Sequence, residues 1–263
     1  MTIDGVMQLG PILRVEQVSK TYQAQNGEIE AIQDVSFTVD EGEYISIVGP
    51  SGSGKSTLLS IIAGLYSPSG GSIYINDVPV SGITRDIGYM LQSDNLLEWR
   101  TILKNVLLGL EIRKMMTPEN VGYAEELLKN YGLYEFRDKY PSQLSGGMRQ
   151  RAALIRTLAV KPKILLLDEA FSALDYQTRL ALTDDVYQIL KRENMTTIMV
   201  THDIPESISM SDRIIVLTKR PACVKAIHEV QFPEEVKTPL QRRNNPNFGH
   251  YFNEIWRELD VHI

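Results

Sequence analysis

The residues from Gly49 to Thr57 have types and a spacing that could bind phosphate. They read GPSGSGKST and fit the pattern GxxxxGK followed by Ser or Thr. In such a loop, glycines let backbone N–H groups close around phosphate oxygens. Lys55 would reach the outer phosphates of a nucleotide, and the hydroxyl of Ser56 would bind Mg²⁺. We call this segment the P-loop, and its members are Gly49, Pro50, Ser51, Gly52, Ser53, Gly54, Lys55, Ser56 and Thr57.

A phosphate-binding loop of this kind needs a strand before it and a helix after it. The apolar run YISIV precedes the P-loop, and the helical run TLLSIIAGL follows it. A helix that begins near Lys55 directs its positive end toward the same phosphates. A flexible Gly/Ser turn has a similar composition, but it does not require this order of elements.

The stretch KILLLDEA places two carboxylates at the end of a second predicted strand. A buried parallel strand is a near-continuous apolar run, and ligands bind where such strands end. Asp168 is therefore the candidate carboxylate for Mg²⁺, bound directly or through water. Glu169 would polarise an attacking water on the γ-phosphate side. Without the P-loop, the same residues would be read as a strand that meets a loop.

A second glycine-rich turn, in LSGGMRQR from Leu144 to Arg151, also has the features of an anion site. Ser145 is a good N-cap, and the free N–H groups at a helix start favour an anion. The simpler interpretation is helix capping alone, with Arg149 and Arg151 on a solvated face. Two anion sites suit one phosphate group only if they come from different molecules.

Composition restricts the classes of protein that these motifs can serve. The 263 residues are 43% hydrophobic, which suits one large domain or a domain with an inserted lobe. The net charge of -6 argues against a mainly electrostatic nucleic-acid binder. The single cysteine, Cys223, excludes an intramolecular disulfide and indicates a reducing compartment. The apolar runs are strand-sized and the start lacks a signal-peptide pattern, so we expect nothing here to cross a membrane by itself.

Hydrophobic periodicity predicts the order of strands and helices. Strand-like segments separated by Gly, Asn and Asp cover residues 12–48. Helical periodicity dominates residues 93–158, with a helix start at Thr117 and a stop at Gly132. The helix-like stretch 176–193 joins the strands KILLLD and TTIMVTH, which is typical of a parallel crossover unit.

The end of the chain predicts an amphipathic helix after the polar linker QRRNNPN. Its apolar face consists of Phe248, Phe252, Ile255 and Leu259. That face would most simply pack back on the core, and a regulatory role is the alternative. The predicted domains are a β subdomain with the first half of the core (1–92), a helical subdomain (93–158), the second half of the core (159–230) and a tail (231–263).

These motifs occur together in the order and spacing of ATP-binding-cassette (ABC) nucleotide-binding domains. The P-loop, LSGGMRQR, KILLLDE, SALD at Ser172 to Asp175 and His202 in VTHD resemble that family over roughly residues 13–230. Other P-loop ATPases lack LSGG between the first and third of these motifs. The resemblance implies an α/β fold, a P-loop NTPase (RecA-like) core with an N-terminal antiparallel β subdomain and an inserted helical subdomain. It also implies that ATP and Mg²⁺ are bound.

The resemblance implies a role for each matching residue. Tyr22, in VSKTY, matches the aromatic residue that stacks on adenine, and Gln92 matches the glutamine that touches Mg²⁺ and the attacking water. His202 matches the histidine that hydrogen-bonds the γ-phosphate. Without the resemblance, these three residues read as an exposed strand tyrosine, a solvated loop residue and a structural histidine. The expected catalytic residues are Glu169, His202 and Gln92, and the expected metal ligands are Ser56, Gln92 and Asp168.

Members of this family pack two chains head to tail, and the resemblance therefore implies that the second glycine-rich turn binds the nucleotide of the partner chain. Ser145, Gly146 and Gly147 of one chain would contact the ATP that the partner's P-loop holds. Asp175 would line the interface between the two copies and organise the hydrolysis site. Met148 replaces a glutamine that is common in the family, so any ribose contact there stays open.

The chain also resembles the separate ATPase subunit of a bacterial importer. The segment SDNLLEWRTILKNV, which contains Trp99, is similar to one in the nitrate, sulfonate, taurine and bicarbonate importer subfamily, as are LTKRPACVK and FGHYFNEIWREL. That subfamily includes thiamine-precursor importers. The resemblance implies membrane permease subunits docked on the helical subdomain near Trp99, and indirect contact with an extracytoplasmic binding protein. It implies a peripheral location at the cytoplasmic face of the cell membrane and no nucleic-acid partner.

Several alternatives remain open from the sequence. An exporter ATPase shares the same catalytic motifs. A soluble ATPase of the superfamily could act on DNA or ribosomes, but such relatives carry long coiled coils or two cassettes, and this sequence shows neither. Trp99 itself reads either as part of a docking surface or as a buried anchor of the helical subdomain.

Overall fold

The computed structural model of the chain describes residues 10–24, 27–172 and 174–259. The prediction that the chain starts without a signal peptide falls on residues 1–9 and lies outside the described residues. The strands, numbered in chain order, are β1 (Leu13–Ala24), β2 (Gly27–Val39), β3 (Tyr44–Val48), β4 (Gly70–Ile75), β5 (Val78–Pro79), β6 (Ile87–Met90), β7 (Ile164–Asp168), β8 (Thr196–Val200), β9 (Arg213–Leu217) and β10 (Val224–Glu229).

Helices cover most of the remaining regular structure. They are α1 (Lys55–Ile62), α2 (Ile102–Val106), α3 (Leu108–Ile112), α4 (Pro118–Asn130), α5 (Gly146–Leu158), α6 (Tyr176–Arg192), α7 (Ile204–Met210), α8 (Pro239–Arg243) and α9 (Pro246–Glu258), with 3₁₀ turns at Tyr134–Phe136 and Pro141–Gln143. Within the described ranges, no helix combines the length and the apolar character that a membrane crossing requires.

The larger sheet has the strand order β10, β9, β3, β8, β7, β6. All its neighbours pair in parallel except β10 with β9. Every residue of β3 and β8 is buried, and so is β7 up to its last residue, Asp168. Strands covered on both faces need successive apolar residues, which explains the runs YISIV and ILLL. Helix α6 joins the parallel neighbours β7 and β8, so the predicted crossover unit is confirmed.

The smaller sheet is antiparallel, with the order β2, β1, β4, β5. Its buried side chains, such as Leu13 and Val15, share one hydrophobic cluster with Leu58 and Leu59 of α1 and with Ile47 of β3. The two sheets therefore enclose α1 between them, and this packing brings Tyr22 of β1 next to Thr57 of the P-loop. The α/β class predicted from the sequence is confirmed.

Helices α2 to α5 lie between β6 and β7 in the chain. Helix α4 begins at Pro118, and the Thr117 side chain caps it by accepting a hydrogen bond from the Asn120 N–H at 3.3 Å. Gly132, with a φ of 71°, follows the last turn in a conformation that glycine adopts without strain. The predicted start and stop of this helix are confirmed.

The tail packs back on the core through its last helix. Ile255 of α9 is fully buried, and Phe248, Phe252 and Leu259 pack against the same cluster. The prediction that QRRNNPN is only a linker is wrong, because α8 extends to Arg243. Thr238 and Gln241 form a capping box that starts α8, and the buried Arg242 donates to the Ser211 carbonyl and the Tyr187 hydroxyl, each at 3.0 Å.

Candidate nucleotide-binding site

The P-loop connects β3 to α1 at the edge where the parallel strands end. Gly52 and Gly54 have φ angles of 72° and 102°, which side-chain-bearing residues rarely adopt. A side chain at Gly49 would approach the Leu217 carbonyl to 3.2 Å and Ser53 Oγ to 3.0 Å. The loop is thus a close-fitting turn whose glycines are sterically required, and it leads directly into the N-terminus of α1.

Lys55 lies inside this turn, with only 7% of its surface exposed. Its ammonium donates hydrogen bonds to the carbonyl oxygens of Gly49 at 2.9 Å and of Pro50 at 3.0 Å. Burial lowers the pKa of the Lys55 ammonium, and the nearby carboxylates of Glu169 and Asp168 oppose that shift. Among the described residues, the hydrogen-bond partners of this buried ammonium are neutral carbonyls, so it is suited to receive an anion.

Ser53 adds a second sign of an anion site. Its side-chain oxygen is buried, yet it has no hydrogen-bond partner among the residues that the structure describes. Buried hydroxyls are normally paired, and an unpaired one in a glycine-rich turn is available for a ligand. The P-loop residues therefore fit the phosphates of a nucleotide.

Asp168 lies beside the P-loop, as the sequence predicts. One carboxylate oxygen accepts a hydrogen bond from Ser56 Oγ at 3.0 Å, and the other accepts one from the Tyr89 hydroxyl at 3.1 Å. Burial and the charge of Asp168 raise the pKa of Tyr89 above its usual range, so this hydroxyl stays a proton donor. Tyr89 was not singled out by the sequence, because nothing in its spacing distinguishes it from other strand residues.

The same residues fit a magnesium ion. Mg²⁺ is usually held by one or two protein oxygens together with phosphates and water, rather than by an all-protein cage. Ser56 and Asp168 supply one hydroxyl and one carboxylate side by side. No cluster of three or more His, Cys, Asp or Glu side chains able to hold a metal is found in residues 10–24, 27–172 and 174–259.

Glu169 and His202 face each other across the ends of β7 and β8. His202 Nδ1 lies 3.3 Å from Glu169 Oε2, and the Glu169 N–H donates to the Val200 carbonyl at 2.9 Å. Glu169 has a φ of 47°, an uncommon conformation for a residue with a side chain. Such backbone outliers persist where the surrounding structure holds them, and they occur often at functional sites.

The loop that carries His202 is tied to a buried carboxyl group. Glu206 is 4% exposed and accepts a hydrogen bond from the Thr201 hydroxyl at 2.6 Å. Burial raises the pKa of Glu206 to about 7, although the Thr201 hydrogen bond lowers it. Asp203 caps α7 by accepting from the Glu206 N–H at 2.8 Å and pairs with Arg179 of α6 at 3.3 Å. The backbone is therefore anchored on both sides of His202, at Thr201 and at Asp203.

A cavity of about 720 Å³ opens over the P-loop. Tyr22 lies on one side of it, and its hydroxyl donates to Thr57 Oγ1 at 3.4 Å. The other side carries Arg220, whose Nε and Nη2 donate to the Gly52 carbonyl at 3.2 and 2.9 Å. The lining residues are Tyr22, Ile29, Ala31, Ser51, Gly52, Gly54, Lys55, Ser56, Thr57, Glu169, His202 and Arg220. A flat ring, apolar side chains and a cationic loop together suit a nucleotide.

The other predicted residues lie apart from this cavity. Gln92 donates to the Ser172 hydroxyl at 3.2 Å and is absent from the described lining residues. Ser145 caps α5 by accepting from the Met148 N–H at 3.3 Å, so the predicted cap is confirmed. None of the residues of the LSGG turn (Leu144 to Gly147) lines the cavity in the described part of the chain.

The LSGG turn lies next to the start of α6. A Cβ added at Gly146 would be 3.1 Å from the Leu174 side chain, and one at Gly147 would be 3.4 Å from Thr178. Asp175 caps α6, accepting from the Thr178 N–H at 3.0 Å, and hydrogen bonds to Thr178 lower the pKa of this carboxyl. The second anion-site candidate and Asp175 therefore share one surface.

The expectation of a solvated face for Arg149 and Arg151 is wrong. Arg149 pairs with Asp94 at 3.1 Å and donates to the Leu144 carbonyl at 3.0 Å. Arg151 is partly buried and lies 3.7 Å from Asp185 of α6. Both side chains connect α5 to neighbouring segments, and this tertiary pairing is invisible to helical periodicity.

Trp99 is 76% exposed. The interpretation of this residue as a buried anchor of the helical subdomain is therefore wrong. The next residue, Arg100, makes the tertiary contact instead, because its Nη2 donates to both carboxylate oxygens of Glu111 at 2.7 Å. Trp99 is left with its indole at the surface.

Comparison with known proteins agrees with this geometry. The ABC transporter family matches residues 32–172. The uncharacterized ABC transporter ATP-binding protein YtlC of Bacillus subtilis is 46% identical over 94% of this chain and 95% of its own length. The nitrate import ATP-binding protein NrtD of Synechocystis is 35% identical over 92% of this chain and 93% of its own.

A solved structure also matches the fold. It is the dimeric post-hydrolysis state of the ATP-binding cassette MJ0796 bound to ADP and Pi, with a TM-score of 0.71 and 35% identity. The match covers 84% of this chain and all of that one. With the P-loop, the strand carboxylates and the LSGG turn in place, the chain belongs to the ABC transporter family and is one of its ATPases.

Proposed function

We propose that the chain is the ATP-hydrolysing subunit of a bacterial importer and that it works as a pair of identical copies. The observation that carries the proposal is the separation of the two anion sites within one chain. Lys55 lines the nucleotide cavity, whereas the described lining residues include none from the LSGG turn. A turn with a free helix N-terminus but no ligand in its own chain suits the ATP of a second copy.

A pair of copies is supported by the relative MJ0796, whose ADP-bound structure is dimeric, and the head-to-tail arrangement of the pair is part of the proposal. In such a pair the surface shared by Asp175 and the LSGG turn would face the partner's P-loop. Ser145, Gly146 and Gly147 would then offer backbone N–H groups to the γ-phosphate. This arrangement makes hydrolysis a property of the assembly and leaves ATP binding as a property of each chain.

The roles of the remaining residues follow from their positions. Lys55 and the P-loop N–H groups hold the phosphates, and Tyr22 lies against the adenine. Ser56 and Asp168 would hold Mg²⁺, and Gln92 is the further ligand that the family resemblance implies. Bound Mg²⁺ neutralises charge on the transferred phosphoryl group. Glu169 takes a proton from the attacking water, and His202, 3.3 Å away, orients the γ-phosphate and Glu169.

The transported solute is proposed to be a small anion or a similarly small molecule. The relative NrtD is named for nitrate import. Bicarbonate, sulfonates, taurine and thiamine-precursor-like molecules belong to the same group of candidates. The solute would contact a separate permease and an extracytoplasmic binding protein, and this chain would sit at the cytoplasmic face of the cell membrane without binding nucleic acid.

Replacing Lys55 with alanine should weaken ATP binding about 10- to 100-fold, because a charge-assisted contact to phosphate is worth about 1.5–3 kcal/mol. The loss is measured as the dissociation constant of ATP by calorimetry. Lys163→Ala is the control, since Lys163 pairs with Asp86 on the surface at 3.2 Å. Unchanged ATP affinity in Lys55→Ala would contradict the proposal that Lys55 contacts the phosphates of ATP.

Trp99→Ala should uncouple the ATPase from its permease. A large aromatic side chain that is 76% exposed is a typical interface anchor, and hot-spot losses of about 2 kcal/mol or more correspond to roughly 30-fold weaker binding. The measurement is recovery of the permease on purified ATPase. Trp256→Ala, which alters an indole that is 38% exposed on α9, is the matched control. Basal ATP hydrolysis should survive both changes.

The proposed function is tested by purification from the native host followed by reconstitution. Recovery with a polytopic membrane subunit and a solute-binding protein, and ATP-dependent uptake into vesicles that contain them, are the expected results. Recovery with ribosomes or DNA, or solute movement only in the outward direction, would contradict it. A thermal-shift screen of the binding protein with anions, sulfonates and pyrimidines would identify the solute.

A further inference from the structure

Arg220 reaches the P-loop from the turn between β9 and β10. Its Nε and Nη2 both donate to the Gly52 carbonyl, at 3.2 and 2.9 Å. We propose that Arg220 is a positioning residue for ATP, which holds the Gly52–Ser53 peptide group so that the Ser53 N–H turns toward the phosphates. The inference rests on the proposed binding of ATP by the P-loop.

The geometry of the peptide group links the two residues. The Gly52 carbonyl and the Ser53 N–H belong to one planar trans unit, so they point in opposite directions. Arg220 holds the carbonyl on one side. On the other side, the Ser53 N–H donates to the Pro50 carbonyl at 3.2 Å, and the Lys55 ammonium donates to that same carbonyl at 3.0 Å. The Ser53 N–H therefore points to the side of the loop where the buried lysine lies.

This peptide group needs an external support. Gly52 has a φ of 72°, and a glycine rotates between left- and right-handed conformations at little cost. A rotation of the peptide would aim a carbonyl oxygen, instead of an N–H, at an anionic phosphate. Two N–H donors on one carbonyl oppose that rotation, and hydrogen bonds from a charged donor are about twice as strong as neutral ones.

The turn that carries Arg220 is itself anchored. Thr218 Oγ1 donates to the Pro221 carbonyl at 3.1 Å and accepts from the Cys223 N–H at 2.9 Å. Ala222 is joined to β2 in both directions, since its N–H donates to Ala31 and its carbonyl accepts from Gln33, each at 3.0 Å. The Ala31 carbonyl would lie 3.0 Å from a Cβ at Gly54. The turn that carries Arg220 is thus anchored to β2, and β2 itself lies against the P-loop at Gly54.

Charge adds to the effect. Arg220 is the arginine, and Lys55 the lysine, among the described residues that line the cavity, so a second cationic side chain faces the phosphate site. Its attraction to phosphate is long-ranged and is shared by ATP and ADP, whereas adenosine has no charge to attract. Loss of Arg220 should therefore weaken the binding of both ATP and ADP far more than the binding of adenosine.

The test compares Arg220→Gln and Arg220→Lys with the wild-type chain. We expect Arg220→Gln to raise the dissociation constants of ATP and ADP and the KM for ATP about tenfold, because a charge-assisted hydrogen bond is lost. The affinity for adenosine and the value of kcat should change less than about twofold, since Arg220 holds a peptide and touches no reacting atom. Arg220→Lys keeps the positive charge but loses the forked pair of N–H donors, so its affinity for ATP should lie between those of Arg220→Gln and the wild type.

Arg137→Gln is the matched control, because Arg137 also donates to a backbone carbonyl, that of Tyr134 at 3.3 Å, far along the chain in the helical segment. Wild-type affinity in Arg220→Gln, or a fall in kcat at unchanged KM, would overturn the inference while leaving ATP binding by the wild type intact. Failure of the wild-type chain to bind ATP would instead overturn the proposed function. If Arg220→Gln does not fold, the ATP-to-adenosine comparison in Arg220→Lys decides the same question.

Discussion

Replacing Glu169 with glutamine should leave MgATP bound and reduce its hydrolysis about 100-fold or more. A general base contributes about 10²- to 10⁴-fold to a rate, and glutamine keeps the size of the side chain while losing its basicity. Because the ATP is not consumed, the variant should accumulate as a closed dimer when MgATP is added. The measurements are the ATPase rate, the amount of ATP retained and the molar mass in solution.

The geometry gives the reason for expecting so large an effect. Glu169 stands at the end of β7 with a φ of 47° and lies 3.3 Å from His202, directly in the lining of the nucleotide cavity. Asp168, the neighbouring carboxylate, accepts hydrogen bonds from Ser56 and Tyr89 and is the carboxylate proposed to hold Mg²⁺. Glu169 is thus the carboxylate that remains available for a water.

Glu41→Gln is the control for this experiment, since Glu41 is exposed in the turn before β3. It should hydrolyse ATP at the wild-type rate and should not accumulate as a dimer. A wild-type rate in Glu169→Gln would show that the base has been assigned to the wrong residue. A variant that lost ATP binding as well would show that Glu169 acts on the ground state instead.

Gly147→Asp should abolish most ATP hydrolysis while leaving ATP affinity at the wild-type value. Gly147 lies in the first turn of α5, where the helix dipole stabilises an acidic side chain, and because the position is buried the melting temperature of the variant is measured beside its activity. A Cβ there would meet Thr178 at 3.4 Å, which is ordinary contact. The added carboxylate would instead repel the partner's γ-phosphate, and we expect the ATPase rate to fall about 100- to 1,000-fold, the size of a removed oxyanion contact.

The measurement for Gly147→Asp pairs an ATPase assay with calorimetric titration of ATP. Gly122→Asp in α4 is the control, because a Cβ at Gly122 has open space around it. A Gly147→Asp chain that hydrolyses ATP normally would argue that the LSGG turn is only a helix cap. A chain that lost ATP affinity would argue that the turn serves its own P-loop.

The sequence predicted those parts of the site that depend on local chemistry. The P-loop, the carboxylates after β7, the cap at Ser145 and the crossover around α6 all follow from residue types at short spacings. The burial of Lys55 against Gly49 and Pro50 also follows from the loop, since these residues are neighbours in the chain.

Contacts between distant segments could not be predicted. Arg220 and Gly52 are 168 positions apart, and Tyr89 and Asp168 are 79 apart. Nothing in the local pattern of either pair encodes the contact, because it depends on how β3, β6, β7 and β9 are ordered in the sheet. The prediction that Arg149 lies on a solvated face was wrong for the same reason, because its partner Asp94 comes from another segment of the chain. The sequence pattern identifies the individual motifs, and tertiary packing determines which of their side chains come into contact.

The central claim is that each hydrolysis site is built from the P-loop of one chain and the LSGG turn of another. The most direct test mixes Lys55→Ala chains with Gly147→Asp chains, each of which should hydrolyse ATP far more slowly than the wild type when alone at limiting ATP. In a mixed dimer, the intact P-loop of one chain meets the intact LSGG turn of the other, so activity should return to at most about a quarter of the wild-type rate. No recovery of activity in mixtures that demonstrably exchange subunits would contradict the shared site.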